Sequence, residues 1–181
     1  MRVRHFSFLT LIASSSCLGL HHSALARTGD LENTGTIVLV ALPTTGAALA
    51  IANRDAQGPT QLASSLAVSA GLTVVLKYCI EEKRPNGGKH SFPSGHASLA
   101  FSAADFIRGR YGWKYGAPAL AAATFVAYSR VASRQHYVHD VVAGAGIGVA
   151  SSMLLTKPYK EWRVSVLTGQ QTVVLRLWRH L

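Results

Sequence analysis

The sequence is short of acid. Its 181 residues hold 8 Asp and Glu against 18 Lys and Arg, a formal net charge of +10 at pH 7. Such a chain attracts anions. Charged residues make up only 14% of it, well under the roughly 25% of ordinary soluble domains, while 49% of it is hydrophobic. It also lacks a basic stripe with interleaved aromatics, which removes nucleic acid from the expected partners. Anionic lipid headgroups and phosphorylated small molecules remain. Cysteine is nearly absent: only Cys17 and Cys79 occur. Cys17 follows Ser14-Ser15-Ser16, which lacks the apolar residue that a lipoprotein site carries. Cys79 is expected to be a small buried residue. No H-E-x-x-H and no cysteine-based metal motif is present. There is no internal repeat and no low-complexity tract, and the length suits one domain.

Arg2 and Arg4, an apolar stretch from Phe6 to Leu20 and the small-x-small run Ala24-Leu25-Ala26 predict an export signal over residues 1–26, cleaved before Arg27. The alternative is an uncleaved membrane anchor. The mature domain, 27–181, reads as all-α, a bundle of about five helices with its site at one end. The helices are expected at Thr34 to Asn53, Thr60 to Ile80, Gly95 or His96 to Arg108, Ala117 to Ser129, and His136 to Leu155. A basic connection, Gly109 to Gly116, separates the third and fourth. Beyond Pro158, Val164 to Leu167 and Thr172 to Leu177 predict a short β-hairpin.

The first two helices are long enough to cross a membrane but carry many Ser, Thr and Gly. Two readings follow, a soluble periplasmic bundle or one embedded in the inner membrane. In the second, the basic tip at Arg108 to Lys114 lies inside and both motif-bearing loops lie on the exported face.

Three clusters carry chemistry. Lys77 and Arg84-Pro85 are seven apart and would share a face on a continuing helix, gripping one dianion; a basic helix end is the plainer reading. Pro93-Ser94-Gly95-His96 precedes a helix, whose N-terminal N–H groups cradle phosphate, with His96 placed to protonate a leaving oxygen; an ordinary serine cap is the plainer reading. Ser129-Arg130, His136 and Asp140 come last. His and Asp at i, i+4 share a helix face, and the carboxylate fixes the imidazole tautomer. Arg130 adds a planar fork for phosphate oxygens. His139 is a neighbour, read as solvated or as a second base. Zinc on these histidines is the rival use, but Lys77, Arg84 and Arg130 would repel a dication and suit a transferring phosphoryl group.

In these residues the sequence resembles the type 2 phosphatidic acid phosphatase superfamily, with its bacterial class A acid phosphatases and vanadium haloperoxidases. The pattern K-x6-RP, PSGH, SR-x5-H-x3-D stands here as Lys77…Arg84-Pro85, Pro93-Ser94-Gly95-His96 and Ser129-Arg130…His136…Asp140, within a core of about 60–157. The resemblance implies a helical bundle and metal-independent hydrolysis, without a cofactor, through a phosphohistidine. His136 would be the nucleophile, Asp140 its orienting partner and His96 the general acid, then base. Lys77, Arg84 and Arg130 would bind phosphoryl oxygens with Ser94 and the Gly95 amide. The expected substrate is a lipid phosphate or diphosphate handled at the cell envelope. Alternatives are a soluble broad-specificity periplasmic acid phosphatase and a vanadate-dependent haloperoxidase.

Overall fold

A computed structural model describes the backbone of residues 9–159, 162–169 and 172–179 and the side chains of residues 29–159. Residues 1–8 and all side chains before residue 29, where most of the expected export signal falls, lie outside the described residues. The helices are α1 (Leu9–Ala52), α2 (Gly58–Cys79), α3 (Gly95–Tyr111), α4 (Trp113–Ala132) and α5 (Val138–Leu155). Two strands follow, β1 (Trp162–Gly169) and β2 (Thr172–Arg179), paired antiparallel in the register Trp162↔Arg179 to Gly169↔Thr172. The five-helix architecture and the terminal hairpin therefore match the sequence expectation.

Helix α3 is the axis. It packs against each of the other four and supplies Ala100, Ala103, Ala104, Phe106 and Ile107 to the core, with Leu42, Leu62, Ala123 and Val126 from its neighbours. Small residues let the backbones approach. A Cβ at Gly144 of α5 would lie 2.4 Å from the Ser94 carbonyl oxygen, and one at Gly148 would lie 2.2 Å from that of Ser98. Only glycine fits at either position, which is the small-xxx-small packing of membrane helices.

The distribution of side chains on α2 runs opposite to that of a water-soluble helix. Ser65, Ser69 and Thr73 are buried, whereas Val68, Leu72, Val74 and Val75 are exposed. The inward face is joined to α3 by hydrogen bonds. Ser69 Oγ and Ser98 Oγ are 2.5 Å apart, and Thr73 Oγ1 donates to Ser98 Oγ over 2.9 Å. Water around such a helix would be set against valine and leucine, while the hydroxyls that prefer water are inside. Lipid reverses both preferences. Gly29–Ala52, Gly58–Cys79 and Val138–Leu155 are each long and apolar enough to cross a membrane.

Several boundaries differ from the sequence expectation, and some of them matter for the site. The broad basic connection shrinks to Gly112 alone, at φ +88°, so α3 and α4 are nearly continuous; that φ is why a glycine stands there. Helix α2 ends at Cys79, so Arg84 lies on a loop and does not share a helix face with Lys77. Helix α5 begins at Val138, so His136 precedes it. Helix α1 reaches back to Leu9. Cys79 is exposed rather than buried, because it sits on the last residue of α2, past the packed face.

Candidate active site

The C-terminal ends of α2 and α4 and the N-terminal ends of α3 and α5 meet at one pole of the bundle. Every sequence-expected site residue is found there, but the loops between helices place several of them. Asp140 is the centre. It is fully buried and stands in the first turn of α5, where a carboxylate is favoured by the free N–H groups and the helix dipole. Its Oδ2 accepts from the Tyr137 amide (2.9 Å), from Ser91 Oγ (2.5 Å) and lies 3.3 Å from His136 Nδ1. The His136–Asp140 pair thus forms across the start of α5 instead of along its face. With Nδ1 turned to the carboxylate, Nε2 is left for other chemistry. The main chain ties this pair to the PSGH segment, since the Ser94 amide donates to the Asp140 carbonyl (3.0 Å).

Ser94 caps α3, accepting from the Ala97 amide at 3.4 Å. Gly95 and His96 form the first turn, so the α3 N-terminus faces the pole as an anion cradle. Lys77 Nζ donates to the carbonyls of His90 (2.9 Å) and Ser91 (3.3 Å), which steadies the loop that carries Ser91. Arg84 Nη1 donates to Gln135 Oε1 (2.9 Å). Arg130 is buried; its Nε donates to Ser129 Oγ (3.3 Å) and its Nη2 to the Glu32 carbonyl. Glu32 also brings its carboxylate, with Oε1 3.6 Å from Arg130 Nη1 and Oε2 accepting from Gln135 Nε2 at 3.1 Å.

These cations act on the histidines. Burial, then the charges of Lys77 and Arg84, push His136 down to about 4 despite Asp140. Burial, then Arg130, push His96 to about 4, with Arg84 and Lys77 adding to the effect and Glu32 opposing it. Both shifts favour the neutral imidazole.

His139 is exposed and stacks between Tyr137 and Phe92. Its Nε2 lies 2.8 Å from Glu82 Oε1 and 3.2 Å from Asp140 Oδ1. Among the described residues Glu82, His139 and Asp140 are the group whose ligand atoms, all within 4.8 Å of one another, have the composition of a metal site. It includes neither His136 nor His96. Sequence reasoning missed Ser91, Gln135 and Glu32. Ser91 and Gln135 sit at unspecified positions beside the motifs, and Glu32 is in the polar lead-in, more than forty residues before Lys77; no spacing rule points to any of them.

Residues 86–163 match the model of the PAP2 superfamily, a span that leaves out Lys77 and Arg84. A lipid A 4'-phosphatase of Helicobacter pylori is 35% identical over 145 residues, 74% of this chain and 73% of that protein. The chain belongs to the PAP2 superfamily. Its fold is that of two solved structures. LpxE of Aquifex aeolicus has a TM-score of 0.60 at 21% identity, with 72% of this chain and 83% of that one covered. A transmembrane PAP2 phosphatidylglycerolphosphate phosphatase of Bacillus subtilis has a TM-score of 0.56 at 22% identity, with 83% and 86% covered. This PAP2 member is a phosphoric monoester hydrolase.

Proposed function

We propose that this chain is a membrane-embedded, metal-independent lipid phosphatase that works through a phosphohistidine on His136. The observation that carries the reading is the convergence of three cations, two histidines and a buried carboxylate on one helix-lined pole. His136 Nε2 attacks phosphorus while Nδ1 holds its proton toward Asp140 Oδ2. The bond from phosphorus to the ester oxygen breaks, and that oxygen takes its proton from His96. Lys77, Arg84, Arg130, Ser94 and the Gly95 amide hold the equatorial oxygens, where charge accumulates. Water then attacks the phosphohistidine, giving its proton to His96 and releasing phosphate and free His136.

His96 must be protonated in the first step, yet burial and the surrounding cations push it to about 4. A bound phosphoryl dianion offsets those cations, which raises the His96 pKa as substrate binds, against the burial that lowers it most. Exposed valines and leucines over buried hydroxyls on α2 favour a lipid surround over a soluble acid phosphatase. Among lipid phosphates, the named activity of the Helicobacter relative supports lipid A phosphates as the candidate. Export of residue 27 onward, with residues 1–26 as a cleaved signal, would put the site pole on the periplasmic side and the basic Arg108 to Lys114 end inside.

The test is phosphate release in excess chelator, from a lipid phosphate in detergent and from a soluble aryl phosphate, with His136→Ala alongside. Release from the lipid should survive chelation and fall below about a thousandth in the mutant. Activity lost to chelator and retained by His136→Ala would replace this mechanism with metal-assisted hydrolysis, for which Glu82, His139 and Asp140 are the residues to examine. Preference for the aryl phosphate would restore the soluble acid phosphatase.

A further inference from the structure

Glu32 places a carboxylate in a site otherwise built from cations. Only 8 acidic residues exist in the chain, and one of them stands against the guanidinium proposed to hold phosphate. Its contact with Arg130 is loose, 3.6 Å from Oε1 to Nη1. The position of Arg130 does not depend on that contact, because Nη2 is held by the Glu32 main-chain carbonyl and Nε by Ser129 Oγ. The carboxylate thus contributes charge more than geometry. A Cβ at Gly35, on the next turn of α1, would lie 2.0 Å from Ser129 Oγ, so α1 and α4 are pressed together beside Glu32. Its other oxygen is held by Gln135, whose Oε1 also accepts from Arg84.

Glu32 is also among the charges acting on His96, with a sign opposite to that of Arg130, Arg84 and Lys77. His96 marks the leaving-group side of the proposed reaction, opposite the His136 nucleophile. In a phosphomonoester that side holds a neutral alkyl or sugar oxygen. In a diphosphate it holds a second, anionic phosphate. We propose that Glu32 is a specificity-determining residue that favours phosphomonoesters over diphosphates by repelling a negative leaving group. The proposal rests on the phosphohistidine reading of the same pole. It divides a question that the motifs alone leave open, since they serve monophosphate and diphosphate substrates equally.

The experiment compares wild type with Glu32→Gln and Glu32→Asp in detergent. The substrates are the monophosphate and the diphosphate of one lipid alcohol, and kcat/KM is measured for each. Glu32→Gln keeps the backbone carbonyl and the shape. It should raise the diphosphate-to-monophosphate ratio about three- to tenfold, the size of effect one partly solvated charge exerts on another across a site. Inorganic phosphate should also inhibit it more strongly. Glu32→Asp keeps the charge and should stay near the wild-type ratio. A ratio unchanged or lowered in Glu32→Gln overturns the proposal, and so does a Glu32→Asp enzyme that behaves like Glu32→Gln, because the effect would then be shape. His136→Ala is the separating control. If it retains turnover, the site reading itself has failed; if it is inactive and the ratio does not move, only the role of Glu32 has failed.

Discussion

Arg110 and Arg130 are both buried, at 6% and 3% exposure, and they stand at opposite poles of one bundle. At the far pole, Arg110 is consumed by the protein. It makes a two-pronged pair with Asp55, through Nε (2.5 Å) and Nη2, and its Nη1 donates to Gln61 Oε1 (3.0 Å) and to the Lys157 carbonyl (2.7 Å). Tyr111 Oη adds a bond to Asp55 (2.9 Å), and the Gly58 amide another (3.0 Å). The network knots the α1–α2 turn, the end of α3 and the chain after α5. At the site pole, Arg130 meets a neutral carbonyl, a serine hydroxyl and one loosely placed carboxylate. The same side chain in similar burial is structural where its charge is matched closely, and available to a ligand where it is not. A buried cation with a poor partner is the better pointer to function.

The sharpest way to break this comparison is to truncate both arginines in turn. Arg130→Ala should lower kcat/KM by about 10³-fold, near 4 kcal/mol of transition-state stabilisation, the range for losing a charge-stabilising donor. Its melting temperature in detergent should fall less than that of Arg110→Ala, since the one charged group that loses its partner, Glu32, is partly exposed. Should activity persist and the protein unfold instead, Arg130 would be a second Arg110 and the assignment of the poles would be wrong.

Arg110→Ala should do the reverse. Removing one partner of a buried pair costs about 3–5 kcal/mol, which a detergent melt would record as a large drop, while the folded fraction keeps kcat/KM close to wild type. Acid should mimic part of this loss. Burial alone would raise the Asp55 carboxyl, but the hydrogen bonds from Arg110, Tyr111 and Gly58 outweigh it and hold it below the usual range. A carboxyl so lowered contributes stability that is fully present above the unfolded value, about 3.9, and is lost as pH falls through its folded value. The wild-type melt should therefore steepen its decline below about pH 4, and Arg110→Ala should lack that component. An Arg110→Ala protein that melts like wild type would mean the far pole contributes nothing to stability.

The contrast also shows what could be read from residues alone. The three motifs, read through their family resemblance, pointed to residues that meet at one pole of the bundle, and each lies near a helix end. Helix number was legible from apolar runs. The geometry linking motifs was not. Lys77 and Arg84 would share a face only on a continuing helix; α2 ends at Cys79, close to the expected Ile80, and the loop after it delivers Arg84. His136 and Asp140 were expected along one helix, yet the pair bridges a helix start, where Asp140 also accepts from Ser91. Ser and Thr on α2 looked like a sign of solubility. They face inward to Ser98, and hydropathy summed along a helix cannot say which side its polar residues occupy. Glu32 was invisible because its partner, Arg130, is 98 residues away in sequence.

The smallest effect is the most specific to the site pole. Burial and neighbouring cations hold both His96 and His136 at about 4, against about 6.5 for a free imidazole. A dianion bound among Lys77, Arg84 and Arg130 cancels the field on His96 and raises its pKa. Proton uptake must then accompany anion binding at pH values between 4 and the raised value, by linkage. Binding of orthovanadate or inorganic phosphate, measured calorimetrically at mildly acidic pH in buffers of different ionisation enthalpy, should show uptake of a fraction of one proton. His96→Gln should abolish that fraction while still binding the anion. His136→Gln should remove a smaller share, because Arg130 is the foremost charge acting on His96 and is not among those acting on His136. Equal loss in both variants would mean that the proton is shared between the two rings, and the division into nucleophile and acid would have to be redrawn.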